Sequence, residues 1–484
     1  MAQYLHVGRA FKNSIYMKRL LLLLTVLSVS SVTFAGGGYE IKLTIKGLKD
    51  QNVQLAYYFG DKQYIKDSAR ADVSGKLVFK GEEILPGGVY IAVLPSRKYF
   101  EIIVDQVQNF SMETDTADFI GNMKVKGSKD NELFYQYLNW ISVKGKQMDQ
   151  YRKDLELAKG DDPKVKMIRD SQTALDLSVK EYKNDFIVKN PELLLTKIFN
   201  ASWEPEIPEI PLLPNGRKDS TFAYKYFKAH YFDKFDMKDD RLLRSPVFGN
   251  KIKQYIEKLT PQIPDSINLA AAKLIGLTDE KNETFKYLVY WITNTYEKSE
   301  IMGMDAVFVF MAENYYLTGK AFWVEDSQLD KIRERVNALK PCLLGVTANN
   351  MKLLKPDFHP IALNDIKKKY TLVYFWDPSC GHCQKVTPKL SEFYKAHEVD
   401  LDLEVLGVYI ESDTTEWFKY IKEKELTWIN AADLTGTAQF RKYYDIYSTP
   451  VLYVLDRNKK IIAKRIDVEN LEDFLKNYDK MVKQ

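Results

Sequence analysis

Seven consecutive residues, Tyr370-Thr371-Leu372-Val373-Tyr374-Phe375-Trp376, carry no charge and are rich in aromatic and β-branched side chains. A run of that length and content predicts a buried strand. A helical pattern from Gln384 to Ala396 follows it. The chain therefore passes from strand to helix through Asp377-Pro378-Ser379-Cys380-Gly381-His382-Cys383, with a C-x-x-C at the junction. Cys380 falls at the helix N-terminus, where unpaired N–H groups and the helix dipole favour negative charge. That lowers a thiol pKa and marks Cys380 as the attacking thiolate. Cys383 lies one turn further in, placed to resolve a mixed disulfide.

A second apolar strand, Val451-Leu452-Tyr453-Val454-Leu455, opens with Thr449-Pro450. Upstream of the C-x-x-C stand Pro356-Asp357-Phe358, Leu363-Asn364-Asp365-Ile366 and Tyr374-Phe375-Trp376. Downstream, Val405 to Glu411 reads as a strand and Thr414 to Glu425 as a helix. On these residues the stretch 341–484 resembles the TlpA/ResA-like branch of thiol-disulfide oxidoreductases in the thioredoxin superfamily. The resemblance implies a C-terminal α/β thioredoxin fold with Cys380 and Cys383 as the catalytic pair. It implies that Thr449-Pro450 is a cis-proline loop that packs against the cysteines and offers backbone to a bound peptide. Gly381-His382 is the dipeptide of disulfide isomerases and implies a more oxidising pair, roughly −180 mV rather than roughly −270 mV. The chain departs from thioredoxin itself at Tyr374, where a buried acid is usual, and at Ser379, where a Trp is usual. A proton acceptor for Cys383 is therefore not identifiable from the sequence. No organic cofactor or metal is expected; the redox-active Cys380–Cys383 disulfide takes that place.

Residues 1–35 read as a secretory signal peptide. Met17-Lys18-Arg19 is a positive start, Leu20 to Val29 an apolar core, and Thr33-Phe34-Ala35 ends in a small residue. Residues 1–16 read as upstream sequence, with the true start at Met17. The apolar core is too short for a comfortable membrane span. No cysteine follows it, so a lipoprotein anchor is not expected, and the destination is the periplasm. The leader holds Arg9, Lys12, Lys18 and Arg19 and no acid. Of the 70 basic and 66 acidic residues, 66 of each then remain, so nothing points to nucleic acid. There are three cysteines in all, which excludes a disulfide-stapled scaffold. Cys342 reads as a buried or free thiol, weighed against a third redox partner or a zinc ligand.

Ahead of the oxidoreductase-like part, residues 36–128 read as an all-β, sandwich-like domain of seven short strands: Tyr39–Ile45, Val53–Tyr58, Gly75–Phe79, Val89–Val93, Phe100–Val104, Phe110–Met112 and Met123–Val125. Residues 129–340 read as an all-α domain, interrupted by Pro205, Pro208, Pro211 and Pro214. Both resemble domains of unknown function that accompany TlpA-like domains in exported bacterial proteins. Tyr224, Tyr226, Phe227, Tyr231, Phe232 and Phe235 crowd one helical stretch, and Tyr315, Tyr316, Phe322 and Trp323 another. They read as helix-on-helix packing, with an aromatic surface for a client polypeptide as the sharper alternative.

Other chemistries fit less well. Haem attachment requires His after the second cysteine, and Gln384 stands there. The five histidines show no paired spacing for zinc. Glu411, at a strand end, is weighed as a carboxylate near the site and as an ordinary surface charge. The reading is an exported oxidoreductase that reduces or isomerises disulfides in extracytoplasmic client proteins, re-reduced by an electron donor such as a membrane thiol transporter. The alternative is a non-catalytic binding or assembly module in which the thioredoxin fold is a protein-interaction platform.

Overall fold

The computed structural model describes residues 37–482, so the signal peptide expected over 1–35 lies outside the described residues. Packing divides the chain into two compact units: one runs to Asn200 and includes 244–246, and the other holds 201–243 and 247 onward.

The first unit begins with eight strands: β1 (Tyr39–Lys46), β2 (Asn52–Phe59), β3 (Lys62–Arg70), β4 (Lys76–Gly81), β5 (Gly88–Val93), β6 (Tyr99–Val104), β7 (Asn109–Asp115) and β8 (Lys124–Lys126). They form two four-stranded sheets, in the orders β4-β1-β7-β8 and β3-β2-β5-β6. Alternate residues of β1, Ile41, Leu43 and Ile45, are buried and share one core with Val53, Leu55, Tyr90 and Ile102 of the other sheet. This is the period-two pattern of strands with one wet face. The strand not foreseen is β3, Lys-Gln-Tyr-Ile-Lys-Asp-Ser-Ala-Arg, which is exposed along most of its length. It is held by its hairpin with β2, closed through Gly60 at φ 61°, and so carries no apolar face for a sequence pattern to reveal.

Three helices follow: α1 (Lys129–Leu157), α2 (Asp162–Lys189) and α3 (Leu194–Ala201). Ser128 caps α1, its side chain accepting from the Asn131 N–H. The buried Asn131 side chain then bonds both backbone groups of Ile103 in β6: its Oδ1 accepts from the N–H at 2.8 Å and its Nδ2 donates to the carbonyl at 2.7 Å. Trp140 of α1 stacks on Tyr182 of α2 at 4.3 Å between ring centroids.

The second unit holds α4 (Phe222–His230), α5 (Pro246–Lys253) from its second residue on, α6 (Pro264–Gly276), α7 (Glu283–Glu297), α8 (Asp305–Met311) and α9 (Asp326–Leu339). Of the ten aromatics singled out, five are core: Tyr231, Phe232, Phe235, Tyr315 and Tyr316 are buried, Tyr226, Phe227 and Trp323 are half-buried, and Tyr224 and Phe322 are exposed. The C-terminal layer follows: β9 (Lys352–Leu354), β10 (Pro360–Ala362), β11 (Tyr370–Trp376), α10 (Gly381–His397), β12 (Leu403–Tyr409), α11 (Thr414–Glu423), β13 (Ile429–Ala432), α12 (Phe440–Tyr443), β14 (Val451–Leu455), β15 (Ile461–Lys464) and α13 (Leu471–Val482). Its seven-stranded mixed sheet has the order β10-β9-β13-β12-β11-β14-β15. All seven residues of β11 are buried; it runs parallel to β12 and antiparallel to β14. Tyr370, Leu372, Tyr374 and Trp376 share a core with Leu390, Tyr394, Leu471 and Leu475. Val373 and Phe375 join a second core with Cys342, Phe440 and Tyr444. The order β, then α, then α/β is the fold class expected from the sequence. No helix among the described residues is long and apolar enough to cross a membrane.

Replacing Asn131 by Ala leaves two buried backbone groups of Ile103 without partners, at a cost of roughly 2–4 kcal/mol. Amide hydrogen exchange at Ile103 is expected to accelerate accordingly; unchanged protection in Asn131→Ala contradicts this account.

Candidate active site

Where β11 ends, the chain turns before it can enter α10. The Asp377 carboxylate makes that turn, accepting from the Ser379 N–H at 2.9 Å and the Ser379 hydroxyl at 2.6 Å. The Cys380 N–H donates to the Asp377 carbonyl at 3.1 Å, and Gln384 Nε2 donates to the Pro378 carbonyl at 2.9 Å. Cys380 is thereby the residue immediately before the first helical residue of α10, with extended φ and ψ of −75° and 120°. Cys380 is partly exposed, whereas Cys383, one turn inside the helix, is fully buried.

The second side of the site comes from β14. Phe375 of β11 pairs with Val451 of β14, which carries Thr449 and Pro450, just before that strand, to the end of β11. The Thr449–Pro450 peptide bond is cis. Cys380 Sγ, as a thiol, donates to the Thr449 carbonyl oxygen at 3.3 Å. Beside them opens a cleft of about 590 Å³ whose walls include Val386, Lys389, Ser448, Pro450, Arg465 and Glu469. Lys389 and Glu469 form an ion pair across 2.5 Å.

The two sulfurs are electrostatically unequal. At Cys380 burial opposes charge, but hydrogen bonding from Thr449, from Cys383 and from the His382 N–H outweighs it and holds the thiol below its ordinary value. At Cys383 burial dominates and pushes the thiol up to about 11, against hydrogen bonds from Asp377 and Thr449. Of the dipeptide between them, Gly381 and His382 are both exposed. What reaches the Cys380 sulfur from His382 is its backbone N–H. A Cβ on Gly381 meets nothing within 4 Å, so packing does not demand glycine there.

Tyr374 takes the place where the resemblance implies a buried acid. Its hydroxyl lies 2.9 Å from Thr387 Oγ1 in α10, with both side chains buried. Burial drives the Tyr374 phenol up, as it does that of Tyr420 in α11, so both are neutral near physiological pH. Cys342 belongs to the core that contains Val373 and Phe375, whereas Cys383 belongs to the core that contains Tyr374 and Trp376. The structure therefore does not bring Cys342 to the pair, and burial pushes its thiol up. Glu411 is exposed and pairs with Arg441 at 3.6 Å. Among the described residues no group of three or more His, Cys, Asp or Glu is placed to hold a metal.

Residues 368–461 match the family model described as thioredoxin-like. The C-terminal part of the chain belongs to that family. Upstream, residues 39–134 and 171–341 match two domains of unknown function, DUF4369 and DUF5106. The thioredoxin-like domain is similar to a domain of a possible thiol-disulfide isomerase from Cytophaga hutchinsonii, with 44% identity over 29% of this chain and 96% of that one, and a TM-score of 0.28. The thioredoxin domain of a thiol-disulfide oxidoreductase from Bacteroides vulgatus is 27% identical over 28% of this chain and 96% of its own, with a TM-score of 0.26. A thioredoxin-like protein from Bacteroides caccae covers 58% of this chain and is matched over 100% of its own length, at 19% identity and a TM-score of 0.43. No curated protein matches the chain.

Several residues that shape the thioredoxin-like site were not singled out from the sequence. Thr387 lies four residues after Cys383 and hence on the same helical face, a spacing that could have marked it. Asp377 and Gln384 flank the motif and brace its turn. Tyr420 arrives from another helix, and only tertiary packing reveals it.

In the reduced protein Cys380 is expected to react with iodoacetamide at least about tenfold faster than Cys383 at pH 7. Because the thiolate is the reacting form, labelling of Cys383 should rise only as pH approaches about 11. Peptide mass spectrometry after timed labelling reads both rates; equal rates at neutrality refute the assignment of the two sulfurs.

Proposed function

We propose that this chain is an exported thiol-disulfide oxidoreductase that reduces or isomerises disulfides in extracytoplasmic proteins with the Cys380–Cys383 pair. The observation that carries this reading is the inequality of the two sulfurs beside the Thr449–Pro450 loop: one is reachable with its charge stabilised, and the other is buried and neutral. Export is supported by the charge and apolar pattern of residues 1–35, which favours the periplasm.

The exchange balances in two displacements. The Cys380 thiolate attacks one sulfur of a client disulfide; an S–S bond forms between enzyme and client, and the client's other sulfur leaves as a thiolate that takes up a proton. Cys383 then loses its proton and attacks Cys380 Sγ. The Cys380–Cys383 disulfide forms and the second client thiolate departs. Two electrons have passed from the pair to the client. A dithiol donor, such as a membrane thiol transporter, returns the pair to its reduced form. In isomerisation a different client thiolate attacks the client sulfur of the mixed disulfide; a new client disulfide forms, Cys380 leaves as the thiolate, and the pair ends reduced. Backbone N–H groups at the start of α10 stabilise the attacking charge. Thr449 and Pro450 align the client backbone, and Gly381 and His382 keep the first turn of the helix open to it. No organic cofactor or metal enters the scheme.

In an insulin-reduction assay on the full chain with dithiothreitol, Cys380→Ser is expected to lose the activity above the uncatalysed rate. Cys383→Ser should accumulate mixed disulfides with client proteins, resolvable on non-reducing gels. Full activity in Cys380→Ser rejects this function.

A further inference from the structure

The loop that presents Thr449 and Pro450 runs from Asp445 to the start of β14, and it has no regular structure of its own. Its first residue is clamped. The Asp445 side chain is only 6% exposed, and its carboxylate is met by two guanidinium groups. Arg465, just after β15, donates to Oδ2 at 2.9 Å and to the Asp445 carbonyl at 3.3 Å. Arg335 donates in a fork, Nη1 to Oδ1 at 2.6 Å and Nη2 to Oδ2 at 3.3 Å. The Asp445 N–H donates to the Tyr453 hydroxyl at 3.1 Å. Two residues on, Tyr447 is 75% exposed, and the Arg335 guanidinium lies over its ring at 5.0 Å. Two residues further, the Thr449 carbonyl faces Cys380 Sγ.

Arg335 is not part of the thioredoxin-like match. It belongs to α9, inside the segment that matches a domain of unknown function over 171–341. We propose that Arg335 is a positioning residue for the redox site: through Asp445 and Tyr447 it fixes the loop that sets Thr449 and Pro450 against Cys380. The proposal rests on the thiol-disulfide reading above and adds to it a role for the helical segment. Arginine suits this role because one planar fork grips a carboxylate while its face covers a ring; a lysine ammonium reproduces the charge alone. A second tie between the helices and the domain lies elsewhere. Lys464, in β15, pairs with Asp305 of α8 and donates to the Cys342 carbonyl at 2.9 Å. It supplies a control for general loosening.

The test uses the full chain and reads two quantities: the pH profile of Cys380 alkylation and kcat/KM for insulin reduction. In Arg335→Ala, alkylation at pH 7 should slow by about threefold to tenfold as the Thr449 side-chain hydrogen bond that stabilises the Cys380 thiolate loosens, with kcat/KM falling in parallel. Arg335→Lys should restore part of the loss. Tyr447→Ala, at an exposed residue, should reproduce a smaller share of it, which keeps the idea testable if Arg335→Ala folds poorly. Asp305→Asn should leave the alkylation profile at the wild-type position. Wild-type behaviour in both Arg335→Ala and Tyr447→Ala overturns the proposal, as does an equal slowing in Asp305→Asn. If the wild-type chain reduces no insulin and Cys380 alkylates like a free thiol, the thiol-disulfide reading fails first, and this inference with it.

Discussion

The antiparallel pairing of β11 with β14 is the constraint on which the site depends. β11 is buried at every residue, so its backbone groups must be satisfied by neighbouring strands, and its register is set on both sides. One end of that register delivers Cys380 to the start of α10. The neighbouring end of β14 delivers Thr449 and Pro450. Two segments nearly seventy residues apart in sequence thus meet because a strand buried on both faces admits no slip.

Within that frame, burial divides the labour between the sulfurs. Cys380 sits at a helix start, partly exposed, with hydrogen-bond donors around it, so its negative charge is tolerated. Cys383 is one turn inside, packed with Tyr374 and Trp376, and the same burial keeps it protonated. Where the resemblance implies a buried acid, a neutral hydroxyl pair, Tyr374 and Thr387, stands instead. For Cys383, burial is the largest influence on the thiol, and it favours the protonated form.

The helices upstream are tied to this arrangement chemically as well as by chain connection. Arg335 and Asp305 both reach the C-terminal sheet and its loops, one at Asp445 and the other at Lys464. Both ion pairs are largely withdrawn from water, where a broken partner is costly and geometry is held tightly. A segment that matches only a domain of unknown function thereby shares in the architecture around the cysteines.

Much of this was legible along the chain, and the limits have physical causes. The apolar run 370–376, the C-x-x-C and the Thr-Pro before a second apolar run are local patterns, and burial of β11, the start of α10 and the place of β14 follow from them. The β-rich N-terminal region was legible wherever strands alternate, and illegible at β3, which is exposed along most of its length and buries little. The clamp of Arg335 on Asp445 spans 110 residues. Neither residue carries a pattern, since one arginine on a charged helix resembles any other until its carboxylate partner is seen. The sequence by itself determined which sulfur stands at a helix start and which lies a turn inside, because helix geometry is local. Only the tertiary structure decided that Tyr374 is paired with Thr387, that Cys342 lies in the other core, and that a distant helix grips the loop facing Cys380. Those outcomes depend on which faces are brought together, and that is settled by packing across the whole sheet.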